Sequence, residues 1–250
     1  MTVMSLEQEE TWSPQIIDFL NTHHDLFLNW ELGNENRPNA QEYDHTIYML
    51  REVLHTDSMM RGYHCTRLTE YEIQQVLANG MQLPNQNFLY QRIEALNQAG
   101  LIDIQVSEYL KSKHEANDSY RAGRIWLCFY TPHLAGQRGI ERFFRSWGGE
   151  ALYNSHERDS VSGPILKRIG TPSIIEMYAP VSKLAELGRL DFNIIRRYLV
   201  KRGLQTLDSL DYEANVTQPI APQDIIRIIQ FPDAEFISLT KCDTWTPPLA

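Results

Sequence analysis

Cysteine is scarce here. The three present, Cys65, Cys128 and Cys242, form no CxxC pair, and an odd number cannot all bridge within one chain. Reduced thiols in a cytoplasmic protein are therefore expected. No run of about 18 apolar residues occurs, which excludes a membrane-spanning helix. The first residues, MTVMSLEQEETWS, are acidic and carry no apolar h-region, so no signal peptide is expected. Internal repeats and low-complexity tracts are missing. Neither GxGxxG nor GxxxxGKS/T is present, which leaves the usual nucleotide-binding folds without support. Ser146 and Ser155 lack a GxSxG elbow, and His23, His24 and His45 lack metal-ligand spacing, so neither a hydrolase triad nor a zinc site is indicated.

What is present is an ordinary globular composition with an uneven distribution of charge. The chain has 250 residues, 42% hydrophobic and 22% charged, enough to bury a sizeable core. Its net charge of −9 divides into −9 over residues 1–60, −2 over 61–120, +7 over 121–205 and −5 over 206–250. The middle segment is the one footprint for a phosphate-bearing ligand or a nucleic acid, unless its charge is a solvated face countered by the acidic N-terminal segment.

Periodicity places a helix at 14–31, with Ser13 as N-cap and Pro14 in its first turn, and a second at 41–56. Together they read as an acidic helical extension over residues 1–60, ahead of a main domain over 61–250. Tyr63–Thr66 is a short strand candidate. A helix capped by Thr69 follows and stops at Asn79-Gly80. Helices at 86–98 and 104–114 precede RIWLCFY (124–130), a dense apolar run that reads as a buried strand. A helix at 139–147 leads through Gly148-Gly149 to EALY, a strand candidate. PSIIEMYAPV (172–181) is a strand, KLAELGRL (183–190) is helical, and NIIRRYLVK (193–201) fits either. YEANV and DIIRIIQF (224–231) complete the strands. Without regular βαβ alternation, the fold class is α+β.

The chemistry-bearing stretch is RGYHCTRL (61–68). A lone histidine beside apolar residues is most often structural, but here an imidazole and a hydroxyl stand together at a strand end with an arginine next to them. Such a group can hold ribose hydroxyls and reach phosphates. Tyr63-His64-Cys65-Thr66 resembles the Tyr-His-Gly-Thr signature of the diphtheria-toxin and poly(ADP-ribose)-polymerase clade of ADP-ribosyltransferases, the His–Tyr–Glu type, with Cys65 where many members have glycine. RIWLCFY and IERFFRSWGGEALY stand, in order, where that clade has an aromatic strand, loop and helix. Tyr212-Glu213-Ala214-Asn215-Val216 before PIAPQDIIRII resembles the ending of the DarT-type toxins. The likeness covers residues 61–231 and lies in the order of three elements.

The resemblance implies a split antiparallel β-sheet core with flanking helices and NAD as substrate. It implies that Tyr63, His64, Cys65 and Thr66 orient NAD and that Arg67 meets its phosphates. One aromatic among Trp126, Tyr130, Phe144, Trp147 and Tyr153 would cover the nicotinamide. Glu213, with Glu150 as its rival, would be the catalytic carboxylate beside His64. The activity implied is mono-ADP-ribosyl transfer to a macromolecule, with nucleic acid favoured over protein by the +7 segment, in a toxin or phage-defence effector that an antitoxin protein could contact. The alternatives are a non-catalytic nucleotide- or RNA-binding module on the same fold and an NAD glycohydrolase. Arg196-Arg197 and Lys201-Arg202 are basic pairs suited either to a nucleic-acid backbone or to a solvated face.

Overall fold

A computed structural model describes residues 2–54, 58–185, 187–205 and 210–249. It is a mixed α and β structure built on one six-stranded sheet. The strands are β1 (Thr2–Met4), β2 (Ser58–Leu68), β3 (Ile125–Cys128), β4 (Thr171–Pro180), β5 (Glu213–Val216) and β6 (Ile225–Gln230). The order across the sheet is β5-β3-β2-β4-β6, with these five antiparallel, and β1 joins β2 in parallel.

β2 is the spine. It pairs with β4 over ten positions, from Met59 opposite Pro180 to Leu68 opposite Thr171. With β3 it shares one pair, Tyr63 opposite Cys128. The sheet is thus tightly laddered on one side of β2 and parts on the other.

Strand alternation sends each sheet face to its own core. Met60, Leu68, Leu127, Phe129, Ile175, Met177 and Ala214 pack with α1 (Pro14–Thr22), α2 (His24–Leu32), α3 (Ala40–Leu54) and α10 (Leu187–Lys201). Tyr63, Cys65, Ile174 and Ile229 face α7 (Gly136–Arg145), α11 (Ala234–Thr240) and the C-terminal Trp245. A third cluster lies among α5 (Gln86–Gln98), α6 (Ile104–Ser112), α8 (Glu150–His156) and α9 (Ser162–Arg168), with Trp147 at its centre. The sequence boundary at residue 60 falls inside β2, and Phe27, Tyr43 and Leu50 share one core with the strands.

Several elements differ from their sequence pattern. The helix expected over 14–31 is broken at His23 into α1 and α2, stacked end to end. The last two residues of the 41–56 helix lie outside the described residues, as does Glu186 within 183–190. EALY is the start of α8, not a strand, because Gly148 and Gly149 both take positive φ (89° and 56°) and turn the chain directly into a helix. NIIRRYLVK is helical, as part of α10. No helix of the described residues is long and apolar enough to cross a membrane.

α4 (Glu70–Asn79) starts in a full capping box, in which Thr69 Oγ accepts from Glu72 N–H and the Glu72 carboxylate accepts from Thr69 N–H at 2.8 Å. That carboxylate is buried and also accepts from Arg92 Nε on α5 at 2.7 Å and from Trp147 Nε1 at 3.0 Å. Burial alone would raise its pKa, but the Arg92 charge and these donors hold it below the usual carboxylate value. The stabilisation is therefore full above the unfolded carboxylate pKa and fades as pH falls through the lower folded one. Glu72→Gln should cost about 3 kcal/mol at neutral pH, by stranding Arg92 and the indole N–H. Urea melts across pH should show the loss at pH 7 shrinking toward acid, with the mutant curve the flatter of the two.

Candidate functional site

The parting of β2 from β3 opens a cleft of about 400 Å³. The antiparallel register would continue with His64 opposite Leu127 and Cys65 opposite Trp126, but the pairing ends at Tyr63 and Cys128. A side chain spans the seam instead. His64 Nδ1 donates to the Trp126 carbonyl at 2.9 Å. A carbonyl only accepts, so the proton sits on Nδ1 and the neutral ring leaves Nε2 as an acceptor. Burial lowers the His64 pKa, outweighing the bond to Trp126, and keeps the ring neutral at pH 7.

Two carboxylates line the same cleft. Glu213 begins β5, directly across from Cys128, whose Sγ lies 3.8 Å from its Oε1. The enclosing walls push its pKa up, as do the nearby charges of Asp211 and Glu150, while the thiol contact opposes them. Glu150 follows the Gly148-Gly149 turn, accepts from Tyr153 Oη at 3.0 Å, and pairs with Arg121 Nε at 3.0 Å. Cys65 and Cys128 both line the cleft, and the proximity of Cys65 together with burial raises the Cys128 thiol well above its ordinary value. Its thiol is a hydrogen-bond donor, not a nucleophile.

Of the residues singled out from sequence, Tyr63, His64, Cys65, Thr66, Trp126, Glu150 and Glu213 line this one cleft. Tyr153 reaches it through Glu150. Arg67 does not. β2 continues to Leu68, so Arg67 shares a face with Tyr63 and Cys65 and is buried, donating from Nε to the Ile169 carbonyl at 2.7 Å and from a terminal nitrogen to Phe144 O at 2.9 Å. Tyr130 is buried in the core beneath the first sheet face. Phe144 packs edge-on against Phe236, and Trp147 is sealed in the helical cluster. Of the five aromatics, Trp126 is the one on the cleft wall, with its indole N–H held by the Tyr120 carbonyl at 3.3 Å.

The far wall has no counterpart among the residues singled out from sequence. Asn85, Phe88 and Arg92 come from the start and first turns of α5, and Arg121 and Arg124 from the loop before β3. Arg92 is held by Glu72 and lies 4.6 Å from the Trp147 ring centre. Arg121 is shared among Glu115, Asp118 and Glu150. Arg124 has no acidic partner among the described residues and is the cleft's free cation. Asn85, Phe88 and Arg92 are spaced i, i+3, i+7, so a stripe on one face of an amphipathic helix is the signal the sequence offers. The arrangement presents a neutral imidazole acceptor, an aromatic face, two carboxylates and a free guanidinium around one cavity. Compared with protein-family models, curated proteins and solved structures, the chain matches none.

The two arginines should behave oppositely. Arg67→Ala strands two buried carbonyls and should lower stability by about 3 kcal/mol in denaturant melts. Arg124→Ala should leave the melt within about 0.5 kcal/mol of the parent. Equal losses in both would contradict the division between a structural and a free arginine.

Proposed function

We propose that this protein is an NAD-dependent mono-ADP-ribosyltransferase of the His–Tyr–Glu type, acting on a macromolecular acceptor, with nucleic acid favoured over protein. The single observation that carries the proposal is the fork between β2 and β3, which gathers His64, Trp126, Glu150 and Glu213 around one cavity with Arg124 uncommitted beside them. In that frame the sheet is the split sheet of the ADP-ribosyltransferase fold, and its biological setting is a toxin or phage-defence effector held by an antitoxin protein.

The chemistry follows from the groups present. His64 Nε2 accepts a hydrogen bond from a ribose hydroxyl, and Thr66 lies beside it. Trp126 offers its face to the nicotinamide ring. Arg124 takes the diphosphate charge, the role Arg67 cannot fill. As the C1′–N bond breaks and nicotinamide leaves with the bonding electrons, positive charge grows on the ribose. Glu213 stabilises it across a partly desolvated gap. The acceptor nucleophile then bonds to C1′ and gives up its proton to a carboxylate. Glu150, already paired with Arg121 and Tyr153, suits the positioning of the acceptor side better than the ribose.

A non-catalytic nucleotide-binding module on the same fold would need no carboxylate in the cleft that holds His64, and two line it here. That favours turnover.

Purified protein supplied with nicotinamide-labelled NAD should release nicotinamide. Glu213→Gln should reduce the rate at least ~100-fold with its melt unchanged, and His64→Ala comparably in rate but with a loss of about 1 kcal/mol in stability from the broken bond to Trp126. Because the Glu213 pKa is raised, and the ionised form is the active one, the acid limb of the rate profile should lie above the ordinary glutamate value. The rate falls as pH drops through it. Absence of both nicotinamide release and calorimetric NAD binding at millimolar ligand would overturn the proposal.

A further inference from the structure

The +7 charge of residues 121–205 is not spread evenly over the surface. Among the described side chains, its share on α10 and the turn after it is consumed internally. Arg202 pairs with Glu9 at 2.9 Å, Lys201 with Glu10 at 3.5 Å and Arg196 with Glu31 at 3.4 Å, while Arg197 donates to the Glu7 carbonyl at 2.9 Å. The basic pairs that stand out in the sequence are therefore matched by the acidic N-terminal segment.

On α7–α9 the charge is only partly matched. Between α7 and α9 a second cavity of about 210 Å³ is lined by Arg142, Arg145, Ser146, Glu157, Arg158 and Lys167, four cations to one acid. Arg142 pairs with Glu157 and Arg145 with Glu141, whereas Arg158 and Lys167 are exposed and have no acidic partner among the described residues. Arg138 and Arg142 lie four residues apart and Arg145 three further on, so all three fall on one stripe of α7. A chain of side-chain contacts links the cavity to the cleft. Arg142 sits 3.9 Å from the centre of the Tyr153 ring, and Tyr153 donates to Glu150 on the cleft wall.

We propose that this α7–α9 surface is the docking track for the phosphodiester backbone of a nucleic acid, entered from the cleft over Arg142, which covers the buried Tyr153 ring. It deepens the transferase reading by placing the acceptor, and rests on that reading only for why the track leads to the cleft. A concave site with guanidinium groups from successive elements suits the fork geometry of phosphate oxygens, and the surplus of cations over acids calls for a polyanion. A strand lying across it would set one nucleotide at the mouth near Glu150 and the next phosphates over Arg142 and Arg158.

The test is fluorescence anisotropy of the full chain with end-labelled oligonucleotides of about 20 nucleotides, single-stranded RNA and DNA and duplex DNA, without NAD. At least one should bind, with affinity falling as salt rises from about 50 to 200 mM. The double variant Arg158→Glu, Lys167→Glu should weaken that binding at least ~10-fold and reduce the salt slope by about two, one for each phosphate that is no longer neutralised. Lys201→Ala, already matched by Glu10, should not. Nicotinamide release from NAD alone should be the same in the double variant as in the parent. No binding at low salt overturns the track, as does unchanged affinity in the double variant. Displacement of the oligonucleotide by polyglutamate of equal charge, as readily as by unlabelled oligonucleotide, overturns it in favour of an acidic protein. Binding abolished in the double variant but no NAD cleavage by the parent keeps the track and removes the transferase. NAD cleavage with no oligonucleotide binding does the reverse.

Discussion

The Glu72 carboxylate is the interaction on which the cleft depends. It closes the cap of α4 immediately after the spine strand ends, reaches across to Arg92 on α5, and holds the Trp147 indole at the start of the turn that delivers Glu150. Three walls of the cleft thus meet at one buried anion. The arrangement is stable because each side of the carboxylate has donors and its charge has a counter-charge. It also decides the electrostatics of the cavity. Arg92, pulled down by Glu72, lines the wall with much of its charge already answered, so Arg124 remains as the cation with charge to spare.

The second constraint is how little joins β2 to β3. A sheet parted along its length would expose backbone groups and lose its core, and one closed along its length would leave no cavity. The single Tyr63–Cys128 pair, with the His64 imidazole bridging to Trp126 just beyond it, is an intermediate solution. The bridge has a chemical by-product. Using Nδ1 as a structural donor fixes the tautomer, so one side chain both holds the seam and presents an acceptor to whatever enters. The ten-position ladder to β4 on the other side lets the seam be this thin.

Much of this is legible in the sequence, and the exceptions have physical reasons. His64 and Glu213 are readable because each sits on a strand, where register and alternation carry local information, whereas the sequence leaves Trp126 as one of five aromatics. Arg67 misleads because the apolar pattern suggests a strand ending at Thr66. Two more residues of β2 turn it from an end-of-strand cation into a buried one on the opposite face from His64. EALY has the apolar content of a strand, but two consecutive left-handed glycines cut the chain and a helix restarts at Glu150. The α5 wall is hidden for a different reason. An amphipathic helix declares that it has a buried face, but a long-range contact, here Arg92 to Glu72, decides which of its polar residues look into a cavity.

The matched and unmatched cations have a consequence of another kind. The acidic N-terminal segment cancels the basic face of α10, while the basic face of α7–α9 is left standing in a molecule whose total charge is −9. Such a distribution sets a local positive patch against a net negative molecule. For the polyanion proposed to dock there, net repulsion at long range would give way to attraction of that patch as the two approach. Under that proposal, orientation would be settled before contact.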